Sequence, residues 1–269
     1  MGNGCVGKDV GHCGNDPTGL SDYHDLQTWR GHGLISETIY DACLKTCVWD
    51  NESAECSDNL QKAANEIGDI DVYYLYNTCS DPAITRRAPV PSRSMLARVQ
   101  AARAARGLPA LKGGLDPNCF GTGPTLEAWS NQPEVKAALH VNTDIDWALC
   151  SNNGTFQYSP DISDERAVIY PTLTEKAGYQ VLVFNGEADL CVPYTDNEWW
   201  TRTMNYTTER AWHAWSVQGE EGPYVGGYAI KYANNFTFAT VRGAGHMVSE
   251  TRPEAGYALF EKHVTGAGC

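Results

Sequence analysis

Two loops in the last third of the sequence constrain the fold more than any other feature. Each follows a short run of apolar, β-branched and aromatic residues, over 181–184 and 236–241, that predicts a buried strand. The first loop (Asn-Gly-Glu-Ala-Asp) presents Asp189 and the second (Gly-Ala-Gly-His) presents His246. Because the carboxyl ends of neighbouring parallel strands lie at the same edge of a sheet, we expect the two side chains to meet there.

Helices alternate with these strands. Helical spacing and N-cap residues predict helices near 195–204 and over 253–263, so the order is strand, helix, strand, helix. That alternation indicates an α/β fold. Upstream, the pattern predicts helices over 34–48 with Ser36 as N-cap, over 57–68 and over 133–139, and a short strand over 72–76.

Cysteines and glycosylation signals indicate a secretory protein. The chain has 10 cysteines in 269 residues, a usage typical of oxidising compartments. Cys43, Cys47 and Cys56 could be read as zinc ligands, but no Cys-x2-Cys pair and no suitably spaced His accompanies them. We therefore favour disulfides and expect no metal. The Asn-x-Ser/Thr signals for N-glycosylation begin at Asn51, Asn153, Asn205 and Asn235.

The sequence opens without the basic start and apolar stretch of a signal peptide. For a secretory protein this is a contradiction, and we expect that an N-terminal part precedes these residues in the natural protein. No apolar run approaches the ~18 residues of a membrane span, so no membrane span is predicted. The net charge of −13 argues against a nucleic-acid partner.

One basic segment departs from the acidic average. Residues 86–112 contain seven Lys or Arg and no Asp or Glu, among prolines at 89, 91 and 109. Composition alone favours a solvated, partly helical loop. The alternative is a linker over 84–114 that proteases remove during maturation.

An ordered series of short motifs resembles the C-terminal half of the serine carboxypeptidases, which are α/β-hydrolases. The matching stretches are residues 2–4, 32–36, 77–79, 116–119, 133–141, 184–189 and 237–248. The resemblance implies an incomplete α/β-hydrolase fold, the C-terminal part of the sheet plus a helical cap. It implies one partial domain over 1–269, with the cap or insertion over 32–120 and the basic linker at 84–114 inside it.

The resemblance also assigns roles to residues. Asp189 resembles the acid and His246 the base of a Ser-Asp-His triad, and Met247 and Cys191 resemble substrate-binding residues. Cys79 and Cys119 resemble a disulfide that brackets the linker. No cofactor is implied. The partners implied are peptides with a free C-terminus and the N-terminal half of the same protein, and a homodimer is left open.

The chain lacks the motif that carries the nucleophile of an α/β-hydrolase. No Gly-x-Ser-x-Gly elbow occurs in the 269 residues, so we expect a serine-type carboxypeptidase whose Asp and His part is inactive alone. The expected location is the vacuole, the lysosome or the outside of the cell. Two alternatives remain open: an acyltransferase of the same family, and a non-catalytic secreted glycoprotein or binding module.

Overall fold

A computed structural model describes Gly2, Gly4 and residues 20–47, 53–77, 114–115, 123–148 and 168–269. In chain order its elements are α1 (Leu20–Gly31), α2 (Glu37–Thr46), α3 (Ala54–Ile67), β1 (Asp69–Ile70), β2 (Gly114–Leu115), α4 (Gly123–Ser130), α5 (Pro133–Ala138), α6 (Ile169–Pro171, continued by a π-helix over Thr172–Lys176), β3 (Val181–Gly186), α7 (Tyr194–Thr203), β4 (Thr208–Gly219), β5 (Gly222–Tyr232), β6 (Phe236–Val241), α8 (Val248–Thr251) and α9 (Pro253–Thr265). None of the described helices is long and apolar enough to cross a bilayer.

A four-stranded mixed sheet is the centre of the fold. Its order is β3-β6-β5-β4, with β3 and β6 parallel and the other neighbours antiparallel. The parallel pair runs in register from Val181 opposite Phe236 to Gly186 opposite Val241. Both predicted strands are therefore present and adjacent, and their carboxyl ends lie side by side. The predicted α/β class is confirmed.

Helices cover both faces of this sheet. Successive strand residues point to opposite faces, so Leu182 packs in a cluster with Leu259 of α9, while Val183 packs with Trp200 of α7. All four side chains are buried. The sheet is thus packed between helices, and the loops at the carboxyl ends of β3 and β6 extend from closely packed strands.

The antiparallel hairpin of β4 and β5 was not predicted from the sequence. It lies between α7 and β6 in the chain and supplies β6 with its second neighbour. Gly222 adopts φ 115° in the connection, a conformation that favours glycine. Trp215 and Val217 are buried, whereas their neighbours on the other face are exposed. The strand, helix, strand, helix prediction was therefore incomplete.

Three helices form a second core. Trp29 of α1 and Leu60 of α3 are fully buried there with Cys43 of α2, and a Cys47–Cys56 disulfide links the end of α2 to α3. Ser36 caps α2 as predicted, accepting the Ile39 N–H at 3.3 Å. The predicted start of α3 at 57 was wrong, because Ser53 caps that helix and it begins at Ala54.

The helical core is attached to the sheet layer through α1 and α7. His24 and Asp196, both buried, lie 2.9 Å apart between Nδ1 and Oδ1. The hydroxyls of Thr28 and Thr195 also lie 2.9 Å apart. These polar contacts orient the helical layer against α7, which begins five residues after Asp189.

The predicted strand over 72–76 is wrong. Asp71 folds the segment into turns, because its Oδ1 accepts the Tyr73 N–H at 2.9 Å and its Oδ2 accepts the Asn77 side-chain amide at 2.9 Å. The Asn77 N–H also donates to the Tyr74 carbonyl at 2.8 Å. An aspartate that binds backbone two residues ahead is a turn former, and here it overrides the strand propensity of the aromatic run.

Candidate active site

Asp189 is fully buried in the loop that follows β3. Its Oδ1 accepts two backbone N–H groups, from Cys191 at 2.8 Å and from Val192 at 3.2 Å. Those two bonds fix the carboxylate at the edge of the sheet. They leave Oδ2 directed at the neighbouring loop.

The two loops approach through backbone atoms. The Ala188 N–H donates to the Ala244 carbonyl at 2.7 Å, and the Glu187 N–H donates to the Val241 carbonyl at 3.0 Å. In return Glu187 Oε2 accepts the Gly243 N–H at 3.1 Å. The small residues of both loops are what allow this approach. The parallel pairing of β3 and β6 thus continues past the strand ends into the residues that carry the polar side chains.

His246 lies against Asp189 at this edge. Its Nδ1 is 2.8 Å from Asp189 Oδ2, and its side chain is 32% exposed while that of Asp189 is fully buried. An ionised carboxylate has no hydrogen to donate, so Nδ1–H donates to Oδ2. The neutral ring then has its lone pair on Nε2, the nitrogen needed by a general base. The sequence predicted that these side chains meet, and they do; their catalytic role stays a prediction.

Asp189 changes the basicity of the imidazole. Burial lowers the pKa of His246, but the hydrogen bond and the negative charge of Asp189 outweigh burial and raise it above the ordinary value of 6.5. A carboxylate so placed favours the imidazolium. The pair is therefore suited to accept a proton and to hold it.

Tyr73 was missed by the sequence reasoning. Its carbonyl accepts the His246 N–H at 2.7 Å, and its ring meets the imidazole edge-on with centroids 5.3 Å apart. Its side chain is also hydrogen-bonded to Cys191. Asp71 was the one signal in the sequence that could have indicated a turn instead of a strand at Tyr73.

Cys191 carries a free thiol beside the pair. Burial, and then the charge of Asp189, raise the pKa of this thiol to about 12. The residue is therefore a neutral thiol at physiological pH and not a nucleophilic thiolate. Its predicted contact with substrate stays a prediction.

Alkylation of Cys191 is expected to be slow and strongly pH-dependent. With a pKa of about 12, only about 10⁻⁵ of the thiol is ionised at pH 7, and the rate should rise about tenfold per pH unit up to pH 10. Iodoacetamide labelling of the native protein, followed by mass spectrometry of the Cys191 peptide, measures this. The denatured protein is the control. Labelling of Cys191 at pH 7 at the rate of a small thiol would contradict the assigned environment.

Of the other predicted residues, the structure describes some and leaves the rest outside the described ranges. Met247 is 38% exposed at the N-cap of α8, next to His246. Asn205 and Asn235 are exposed in left-handed turn positions with φ 55° and 58°. Cys79, Cys119, Asn51, Asn153 and residues 84–113 lie outside the described residues. Within the described part of the chain, no group of three or more His, Cys, Asp or Glu side chains is placed to hold a metal.

Comparison with known proteins identifies a family. The sequence profile of the serine carboxypeptidase family matches residues 1–266. Serine carboxypeptidase-like 40 of Arabidopsis thaliana is 32% identical over 91% of this chain and 45% of its own length. Serine carboxypeptidase 1 of Hordeum vulgare is 27% identical over 88% and 52%, respectively. The lysosomal protective protein of Mus musculus is 26% identical over 86% and 52%.

A solved structure gives the same fold. The crystal structure of a prohormone-processing carboxypeptidase from Saccharomyces cerevisiae matches with a TM-score of 0.54 at 18% identity, over 98% of this chain and 53% of that one. The chain spans about half the length of the curated relatives that it matches.

Proposed function

This chain belongs to the serine carboxypeptidase family, and on that premise we propose that it supplies the acid and the base of a serine-type carboxypeptidase. The observation that carries the proposal is the 2.8 Å contact between His246 Nδ1 and Asp189 Oδ2. It is supported by the two backbone N–H groups that hold the other carboxylate oxygen. A histidine fixed in this tautomer presents Nε2 to the hydroxyl of the nucleophilic serine.

The proposed chemistry is acyl transfer to a serine. His246 Nε2 removes the proton from the serine hydroxyl as that oxygen attacks the last peptide carbonyl, and Asp189 stabilises the imidazolium that forms. The imidazolium then gives the proton to the leaving amino group, which departs as the free C-terminal amino acid. Water hydrolyses the acyl-enzyme by the same steps. Met247 and Cys191 are proposed to line the site for the departing residue.

The serine is proposed to lie on polypeptide outside these 269 residues. Of the serines near the sheet, Ser216 lies within β4 and Ser249 lies within α8, so neither lies in the sharp turn of a strand–turn–helix elbow. Gly2 forms a parallel bridge with Phe184, and β6 is the partner of β3 along its length. A further strand is thus accommodated beside β3, next to the Asp189 loop.

The proposed setting is the secretory pathway. The Cys47–Cys56 disulfide supports an oxidising compartment, and a lysosomal relative supports the same route. We propose the vacuole, the lysosome or the extracellular space as the destination. We also propose peptides with a free C-terminus as substrates, glycans on the four predicted asparagines and a Cys79–Cys119 disulfide. The helical cap over 32–120, excision of the 84–114 linker and a homodimer are further proposals.

Labelling with a serine-directed fluorophosphonate tests the proposal. The native protein, captured from its source by an antibody against α9, should be labelled on a serine of a Gly-x-Ser-x-Gly peptide that is not part of the 269 residues. The label should abolish release of the C-terminal residue from an N-blocked dipeptide. The recombinant 269-residue chain is the control and should take no label.

Three outcomes would overturn the proposal. A label on a serine of the 269 residues, such as Ser216 or Ser249, would place the nucleophile inside the chain. A native protein that takes no label and hydrolyses no blocked dipeptide would favour the non-catalytic alternative. Labelling without hydrolysis, but with transfer of an acyl group to an added alcohol, would identify the acyltransferase alternative.

A further inference from the structure

A turn far from both loops in sequence is bonded to each of them. The Val72 carbonyl accepts the Leu190 N–H at 2.8 Å, and the Leu75 N–H donates to the Ala188 carbonyl at 3.0 Å. Leu190 and Ala188 flank Asp189 on either side. The turn therefore holds the Asp189 loop on both sides of its carboxylate. Both hydrogen bonds join backbone atoms, so they do not depend on the side chains of the turn residues.

The same turn also holds the His246 loop. The Tyr73 carbonyl accepts the His246 N–H at 2.7 Å. A Cβ placed on Gly245 would lie 2.4 Å from that carbonyl oxygen and 2.8 Å from the Tyr74 Cβ. The two segments are thus in close backbone contact, and displacement of the turn would displace His246 as well.

One buried carboxylate folds the turn. Asp71 is fully buried, and its two oxygens accept from opposite ends of the turn, Oδ1 from the Tyr73 N–H and Oδ2 from the Asn77 amide, each at 2.9 Å. Charge-assisted bonds of this kind are stronger than those between neutral groups. No local regular structure holds the segment, since residues 71–77 are in neither helix nor strand.

We infer that the turn 71–77 sets the contact between Asp189 and His246, and that Asp71 is a positioning residue for the proposed reaction. Asp71 acts through the turn and not on substrate. The turn bridges two loops whose polar side chains must align within a fraction of an ångström for proton transfer. Its role in activity rests on the proposed function, whereas its role in the geometry of the pair does not.

A histidine titration tests the geometric part without any assay of activity. The protein is expressed from its natural gene with ¹⁵N-histidine, and the His246 ring is followed by NMR against pH in the wild type and in Asp71→Asn, Asp71→Ala and Asn77→Ala. Because Asp189 raises the pKa of His246, a looser contact should lower that pKa and weaken the Nδ1–H signal. We expect the largest change in Asp71→Ala and a smaller one in Asn77→Ala, which removes a single bond.

A matched control distinguishes a loss of positioning from the general effect of removing any buried carboxylate. Asp196 is as buried as Asp71 and binds His24 instead of the two loops. Asp196→Asn should leave the His246 titration unchanged. Folded Asp71→Ala and Asn77→Ala proteins with the wild-type His246 titration would overturn the inference. If Asp71→Ala does not fold, Asn77→Ala alone decides the outcome.

Kinetics then test the catalytic part. In the active native protein, Asp71→Ala should lower kcat on the order of 10²-fold with little change in KM, because misplacement of a catalytic group by about 1 Å costs that much. An unchanged kcat in an active enzyme would also overturn the inference. If the wild-type protein has no activity at all while the His246 titration shifts as expected, the proposed function fails and the positioning role stands.

Discussion

Asp189→Asn is expected to lower kcat about 10⁴-fold while the protein keeps its fold. The substitution changes one oxygen of a buried side chain into an amide nitrogen and alters no volume. Removal of the carboxylate from a Ser-His-Asp triad costs about this much in other enzymes, because the histidine adopts the wrong tautomer. The contacts of Asp189 indicate why the same should happen here.

Hydrogen bonds from the backbone determine the orientation of the new side-chain amide. Asp189 Oδ1 accepts the N–H groups of Cys191 and Val192, and only the amide oxygen of asparagine can replace it there. The amide nitrogen must then face His246 Nδ1 and donate to it. Nδ1 becomes the acceptor, the ring proton moves to Nε2, and Nε2 has no lone pair to accept the serine proton.

The substitution should also change the response to pH. In the wild type the pKa of His246 is raised above its unfolded value, so the Asp189 contact stabilises the protonated, folded state. This contribution to stability is fully present below about pH 6.5. It is lost as the pH rises through the folded pKa. In Asp189→Asn the pKa of His246 should fall, and the stability gained at low pH should disappear.

Steady-state kinetics on a blocked dipeptide and NMR titration of His246 measure both effects. Asp196→Asn is the matched control, because it makes the same change in a second buried histidine–aspartate pair of the described residues, with His24. That control should keep kcat within about threefold of the wild type, as expected away from the chemistry. An Asp189→Asn enzyme with more than a tenth of wild-type kcat would remove Asp189 from the proposed mechanism.

The strands and loops that carry Asp189 and His246 could be predicted because each depends on a local pattern. Two apolar runs of strand length ended in loops of small residues. The resemblance to the α/β-hydrolases implied that these two strands are neighbours, and that part of the prediction was not local. The cap of α2 at Ser36 was local, since one hydroxyl binds an N–H three residues ahead. Features of this kind are determined within a few residues of sequence.

The hairpin and the turn could not be predicted in the same way. The segment 208–232 contains charged and small residues among its aromatics, and it forms strands because β6 offers it a free edge. Residues 72–76 have strand composition, but contacts from two distant loops and the side chain of Asp71 fold them into a turn. Tertiary contacts override propensity in both cases.

Gly186→Ala is expected to cost about 3 kcal/mol of stability, at the upper end of the usual range for overpacking. Gly186 is the last residue of β3 and lies opposite Val241. A Cβ at Gly186 would lie 2.1 Å from the Gly245 carbonyl oxygen and 2.5 Å from that of Ala244. Both are backbone atoms of the His246 loop, so no side-chain rotation can relieve the overlap and the loop must move.

Movement of that loop should displace the His246 side chain directly. Gly245 precedes His246, so a shift that clears the new methyl group carries the imidazole away from Asp189. We expect kcat to fall by on the order of 10² or more, and the pKa of His246 to fall as the contact loosens. Thermal unfolding followed by circular dichroism should show a Tm lower by roughly 6–12 °C, at about 2–4 °C per kcal/mol for a chain of this size.

Gly31→Ala is the matched control for this prediction. Gly31 ends α1, and a Cβ there would have no atom within 4 Å. The same added methyl group should be neutral or stabilise the helix by up to about 1 kcal/mol. If Gly186→Ala unfolded at the same temperature as the wild type, the His246 loop would have to yield without cost. The close backbone approach at the ends of β3 and β6 would then not be what fixes the Asp189–His246 pair.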